Sequence, residues 1–363
     1  MRGEPDKIRE RKTNETLIEY FLSESSKLDS ADPSQWKCAW RSYTGWAERN
    51  AVDLGEVRKQ ETKDYKSYLK SEYNGRTPGT YFNRVKQIID WLTNTKEASR
   101  NPFQKVDAPS SNKDTSKVEV KIDRLREAVL ESRSQNIELF VFIIIALKTG
   151  LRIGEIVNLD LRDINLDHPI SKAMPNPRQE VHNHPDNLYV DSDVSAGEVH
   201  NGEKRADSSK KNSFRKIPID EELKSVLVWW IAMLPPTESP AKPLMRRIKD
   251  PKGRRHRAHA IQERITEWGR KNGLNSEDMK HFGVDAHWCR HWFSTKMRAS
   301  IDDEEIVIGS AKGYVEGLRG DSEESTIETY TQEWEELGDE DDKEYREVFD
   351  DNIPKLFTGN QHQ

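Results

Sequence analysis

The chain has 363 residues, a size that favours two domains over one. Charged residues make up 34% of it and the mean hydropathy is −0.93; a strongly apolar run such as residues 139–147 falls far short of the roughly 20 residues that span a bilayer, so no membrane partner is expected. The charged start (Arg2, Glu4, Asp6, Lys7) has no apolar stretch of a signal peptide, and two distant cysteines, Cys38 and Cys289, suggest neither a disulfide framework nor a metal cluster.

The net charge of −6 argues at first against a nucleic-acid partner. Its distribution reverses that. Residues 333–351 carry 11 acids against 2 bases, so the rest of the chain is net positive. Residues 242–257 hold eight Lys or Arg against one acid, Asp250. A local basic face outweighs the total, because screening confines charge effects to about 8 to 10 Å. A solvated charged surface with an acidic tail is the bland reading.

From residue 14 to about 95 the spacing predicts four helices. Leu17, Phe21 and Leu28 mark the first, and Asp32-Pro33 starts a second in which Trp36, Trp40, Tyr43 and Ala47 share a face. The third buries Tyr65, Tyr68 and Leu69; Thr77-Pro78 opens the fourth, with Tyr81, Val85, Ile88, Ile89 and Leu92 recurring every three or four residues. These aromatic stripes read as core, not as base-stacking platforms. A polar stretch with Pro109, Ser110, Ser111 and Asn112 reads as a linker. Helices then follow over about 122–131 and 137–148, a strand-rich region over about 164–219, and helices over about 221–233, 260–271, 287–300 and 325–336.

Three segments carry chemistry-bearing residues. In Thr149-Gly150-Leu151-Arg152-Ile153-Gly154-Glu155, Gly150 ends one helix and Arg152 and Glu155 lie on one face of the next. In His287-Trp288-Cys289-Arg290-His291-Trp292-Phe293, His287 and Arg290 share a helix face that Trp292 and Phe293 can anchor. In Thr326-Ile327-Glu328-Thr329-Tyr330-Thr331, Tyr330 is a candidate nucleophile, with Tyr314 and Tyr345 as rivals. Each alone is weak: a surface ion pair, a chance His-x-x-Arg, a helix-face tyrosine.

Taken in order, Thr-Gly-Leu-Arg-x-x-Glu, His-x-x-Arg-His and Thr-x-x-x-Tyr-Thr resemble the phage integrase (tyrosine recombinase) family, over about residues 120–332. The resemblance implies a mainly α fold with a small β-sheet: a helical, SAM-like core-binding domain at 13–104 and a mixed α/β catalytic domain at 118–332. An extension at 1–12, a linker at 105–117 and an acidic tail at 333–363 complete the chain. It implies a site-specific recombinase acting through a 3′-phosphotyrosyl intermediate, needing no cofactor and no metal. Arg152 and Arg290 would grip the phosphate by charge-assisted bidentate hydrogen bonds, His287 would manage the nucleophile's proton, and Tyr330 would attack. Glu155 would orient His287 or an arginine.

The family's lysine precedes an Arg-x-x-Pro strand, which Phe214-Arg215-Lys216-Ile217-Pro218 resembles. Family spacing then points to Lys210, with Lys211 adjacent and Lys204 less favoured, as the general acid. Where the family has His or Trp, Leu318-Arg319-Gly320-Asp321 puts Asp321. A carboxylate about 4 Å from a phosphate costs on the order of 4 kcal/mol at an effective dielectric near 20, so Asp321 is expected to pair with a site Arg or His. This Arg-Gly-Asp is similar to some archaeal integrases. Lys211, Arg246, Arg247, Lys252, Arg254, Arg255, Arg257 and Arg319 are candidate DNA contacts. Double-stranded DNA is the expected partner, gripped by two clamped domains, with a tetramer on DNA, a monomer or dimer when free, and a cytoplasmic, nucleoid-associated setting. The acidic tail either stays solvated or docks on a neighbouring subunit. Competing readings are a type IB topoisomerase, a catalytically inactive DNA-binding relative, and a metalloprotein built on His182, His184, His256, His259 or His287.

Overall fold

A computed structural model of the chain describes residues 14–24, 33–53, 57–73, 75, 77–95, 98, 100–110, 118–210, 213–275, 283–301, 310–320 and 339–357. The chain divides into two compact units, Met1–Thr115 and Ser116–Gln363.

In the first unit four helices, α1 (Asn14–Glu24), α2 (Pro33–Arg49), α3 (Lys59–Glu72) and α4 (Thr77–Asn94), surround an aromatic core. Tyr43 sits at its centre, its ring centroid 5.0 Å from Tyr65 and 5.6 Å from Phe103. Trp36, Trp40, Tyr65 and Leu69 are buried, while Tyr68 and Tyr81 pack at the edge. These rings are walls of a core and not stacking platforms. Burial pushes the Tyr43 and Tyr65 phenols well above their ordinary range, so neither is a ready nucleophile. After α4, the Asn101 side chain accepts the Phe103 backbone N–H and donates to the Lys86 carbonyl at 3.0 Å. That turn drives Phe103 into the core, and Val106 and Ala108 pack on the same cluster.

The second unit is built around α6 (Ile137–Thr149), which follows α5 (Ile122–Gln135) and is buried from Leu139 to Thr149. A helix buried all round, apolar from Leu139 to Leu147, is a central one. Gly150 ends it at φ +63°, and a Cβ there would lie 2.4 Å from the Phe293 ring; both facts demand glycine. Next come α7 (Ile153–Asn158), β1 (Ile164–Asn165), α8 (Gln179–His182), β2 (Asn187–Val190), a hairpin of β3 (Val199–His200) and β4 (Glu203–Lys204), and β5 (Arg215–Pro218). An antiparallel sheet runs β1-β2-β5, with Leu188 opposite both Ile164 and Ile217. Helices α9 (Glu221–Met233), α10 (Ala258–Lys271), α11 (Ala286–Ser300) and α12 (Ala311–Arg319) complete the core with α6. Each buried indole N–H of Trp230, Trp268 and Trp288 finds a backbone carbonyl, of Leu244, Ala128 and Val118 respectively. The helix expected over 325–336 lies outside the described residues.

Part of the acidic segment lies among the described residues. Helix α13 (Asp339–Asn352) and the residues after it pack on their own unit through Tyr345, Phe349, Ile353 and Leu356. Lys148, fully buried, bonds Asp220 at 2.7 Å, Glu222 at 2.5 Å and the Pro354 carbonyl at 2.7 Å. Glu222 in turn accepts the backbone N–H groups of Leu356 and Phe357, both at 2.8 Å. Composition showed the acids; the apolar face that docks them is spread thinly among them. No helix among the described residues is long and apolar enough to cross a membrane.

Candidate functional site

The αL turn at Gly150 sets Arg152 at the start of α7, where its backbone N–H donates to the Glu155 carboxylate at 2.9 Å. That carboxylate caps the helix, as acids three residues in commonly do. It also receives Arg152 Nη1 at 3.2 Å and Arg215 Nη2 at 2.8 Å. Burial alone would raise the Glu155 pKa, but Arg215 and Arg152 beside it hold it below the ordinary carboxylate range. Glu155 therefore orients two arginines, Arg152 from the motif and Arg215 from β5. Nothing in the described residues puts it against His287.

Arg290, on α11, is 1% exposed. Its Nη1 donates to the Gly150 carbonyl at 2.6 Å and its Nη2 to the Arg319 carbonyl at 2.7 Å. Arg152 Nη1 reaches the same Arg319 oxygen at 3.5 Å, and its side chain is 33% exposed. Two guanidinium groups thus meet at one acceptor, one fixed by burial and one open to solvent. Lys210 joins them: its ammonium donates to the Gly320 carbonyl at 2.9 Å. Its loop is pinned, since the Ser209 N–H reaches the Val194 carbonyl and the Ser213 hydroxyl reaches the Lys210 carbonyl. Lys204, by contrast, lies exposed on β4.

His287 stands one turn from Arg290 on α11, and its Nε2 lies 2.9 Å from Nε2 of His291. One ring must donate and the other accept, so the two imidazoles share a proton position. Among the described residues no three His, Cys, Asp or Glu side chains gather to hold a metal.

Of the rival tyrosines, both belong to the core. Tyr314 is 3% exposed, its hydroxyl donates to the Tyr345 carbonyl at 2.8 Å, and burial raises its pKa far above the ordinary phenol range. Tyr345 is 6% exposed against it. Tyr330, Asp321 and Lys211 lie outside the described residues.

The basic stretch expected to contact DNA divides in two. Arg246 and Arg255 are 6% and 8% exposed. Arg246 donates to the Pro243 and Pro235 carbonyls. Arg255 binds Asp160, the Val157 and Leu159 carbonyls and Glu203. Both are mainly internal ties between distant segments, which corrects their expected role as surface DNA contacts. Lys252, Arg254 and Arg257 are exposed, and Arg247 is half-buried against Asp250. Arg319 is half-buried and enters the cluster through its carbonyl.

Two residues escaped the sequence reading. Arg215 was visible only as part of an Arg-x-x-Pro strand, yet its guanidinium touches Glu155, the Leu318 carbonyl and Ser213. Asp160, 0% exposed, accepts from Arg205, Arg255 and Asn201 and so fastens the β3–β4 hairpin to the core. An aspartate just after α7 gave no such signal.

The model of the phage integrase family matches residues 119–307. Among curated proteins, the tyrosine recombinase XerC of Salmonella typhi is 25% identical over 253 residues, covering 68% of this chain and 66% of the relative. XerC of Escherichia coli O157:H7 is 26% identical over 251 residues, with the same two shares of 68% and 66%. The chain thus matches just under two thirds of the length of these relatives. Among solved structures, a Tn1549 transposon integrase in complex with transposon right end DNA aligns with TM-score 0.62 at 15% identity, over 90% of this chain and 99% of that one. A lambda integrase dimer bound to a COC′ core site aligns with TM-score 0.59 at 13% identity, over 86% and 94%.

Proposed function

The chain belongs to the phage integrase family, and from that premise we propose that it is a site-specific DNA recombinase that cuts and rejoins strands through a covalent phosphotyrosine at Tyr330. The observation that carries this reading is the meeting of Arg152 and Arg290 at one oxygen, the Arg319 carbonyl, at 3.5 and 2.7 Å. Guanidinium groups that can share one acceptor can share the non-bridging oxygens of one phosphate, and their attraction grows as charge builds in the transition state.

In this scheme the Tyr330 oxygen attacks phosphorus, a P–O bond forms to tyrosine, and the bond to the 5′-oxygen breaks. The phenolic proton passes to His287 or to solvent. Lys210 protonates the departing 5′-oxygen. The phosphodiester energy stays in the new linkage, so rejoining by a 5′-hydroxyl reverses the step with no nucleotide consumed. Glu155 and Arg215 hold the cations in place, and Asp321 is assigned to orient a site Arg or His. Lys211, Lys252, Arg254, Arg257 and Arg247 supply phosphate contacts away from the chemistry. We assign the helical unit to core binding and the second unit to catalysis. The lambda integrase likeness extends to a tetramer bound to a Holliday junction, TM-score 0.58 at 13% identity, and a tetramer on DNA is the assembly we assign to strand exchange.

The test begins with a DNA site selected by binding from a pool of random duplexes. That site, nicked to trap the intermediate, is mixed with the protein, and a complex resistant to boiling in detergent is sought. We expect the complex with the natural chain and none with Tyr330→Phe. No complex on a DNA that the protein binds would sink the proposal in favour of an inactive DNA-binding relative. Strand exchange between two sites then separates a recombinase from a topoisomerase.

A further inference from the structure

The last turn of α12 offers three consecutive carbonyl oxygens to the cationic cluster. Leu318 accepts from Arg215 Nε at 2.8 Å, Arg319 from Arg290 and Arg152 at 2.7 and 3.5 Å, and Gly320 from Lys210 at 2.9 Å. The final carbonyls of a helix lack intrahelical partners and lie at the negative end of its dipole. Four cations from three separate stretches of chain therefore share one helix end.

Gly320 makes this possible. It sits at φ +63°, where it ends the helix, and an added Cβ would fall 2.8 Å from Arg215 Nη1 and 2.9 Å from Ser213 Cβ. The left-handed turn breaks the parallel run of helical carbonyls, so the third can serve Lys210 while the first two serve arginines. Arg215 locks the same turn from the other side, since its guanidinium also binds Ser213 at 2.8 Å and Glu155 at 2.8 Å.

We propose that Gly320 is a positioning residue: the turn it closes holds Arg152, Lys210 and Arg290 in register for the phosphate, through Arg215 and three backbone oxygens. This rests on the strand-cleavage reading above. The turn touches the cations that would grip and protonate the reacting phosphate, so its loss should slow cleavage while leaving DNA affinity in place.

The natural control lies in the same helix. A Cβ at Gly317 meets nothing within 4 Å, and its φ is not positive. Gly320→Ala and Gly317→Ala are compared in three measurements on the full chain: DNA affinity, the single-turnover rate of covalent complex formation, and the rate at which an amine-reactive acylating reagent labels Lys210, read by peptide mass spectrometry. In Gly320→Ala we expect cleavage to fall roughly hundredfold, as for a catalytic group misplaced by about 1 Å, with affinity kept and Lys210 labelled faster. Gly317→Ala should match the natural chain in all three. Should Gly320→Ala not fold, Arg215→Lys carries the same readouts, because it keeps the charge beside Glu155 and loses the fork to Leu318 and Ser213. Natural rates and natural labelling in the tested variant overturn the proposal. If the natural chain itself forms no covalent complex, the strand-cleavage reading falls, and the Lys210 labelling alone decides whether the turn holds the cations.

Discussion

Residues 242–257 concentrate eight Lys or Arg in one stretch, whereas Arg152, Lys210, Arg215 and Arg290 come from three stretches and converge on the end of one helix. In the first set Arg246 and Arg255 turn inward to carbonyls and to Asp160, while Lys252, Arg254 and Arg257 are exposed, Arg254 beside Asp250 and Lys252 beside Glu238. In the second set each cation has a fixed acceptor, and one of them, Arg152, stays partly open. Charge density along a chain measures how strongly a surface attracts DNA in general. Convergence of donors on one point measures whether a single phosphate can be activated.

The sharpest break of this comparison is Arg290→Ala. Removing one preorganised donor to a developing oxyanion costs about 10²- to 10³-fold in rate, so covalent complex formation should collapse while DNA retention barely changes. A matched loss of affinity and rate would place Arg290 among general phosphate contacts instead.

Arg255→Ala should do the reverse. It leaves buried Asp160 without a main partner, and breaking a buried pair costs about 3 to 5 kcal/mol. Urea unfolding should show that loss, with DNA affinity unchanged for whatever fraction stays folded. Weakened DNA binding with natural stability would return Arg255 to the surface set.

Glu155→Gln probes the join between the arginines through pH. The folded-state pKa of Glu155 is depressed, so its stabilisation is complete above the unfolded value of about 4.3 and fades as pH falls through the folded value. The natural chain should lose stability in that acid range. The Gln variant should start less stable at neutral pH and show a flatter acid limb. Parallel acid limbs would mean that Glu155 is not held as its geometry implies.

The smallest effect belongs to Lys252, Arg254 and Arg257 replaced together by Ala. Binding should weaken on all sequences alike, and the slope of log affinity against log salt should become shallower by about 0.9 for each phosphate that is no longer neutralised. A weakening confined to one DNA sequence would show that these side chains read bases.

Much of the fold was legible because it depends on local pattern. Trp36, Trp40 and Tyr43 at helical spacing had to face one core, the apolar run before Gly150 had to be a buried helix, and Gly150 had to end it. Arg152, His287 and Arg290 could be named because their motifs are short and ordered. The role of Arg215 was hidden, since a strand arginine looks the same whether it faces water or, as here, a carboxylate 60 residues away. The role of Lys148 was hidden for the same reason: an ion pair closed across 72 residues leaves no mark on local composition.

By itself, then, the sequence determined the helices, their buried faces and the family motifs, because propensity, periodicity and capping act over a few residues. Only the tertiary structure decided which of the many basic side chains meet at one point and which disappear into the core. That choice depends on desolvation and on acceptors supplied by distant segments, and for this chain the acceptors are the three backbone oxygens at the end of α12.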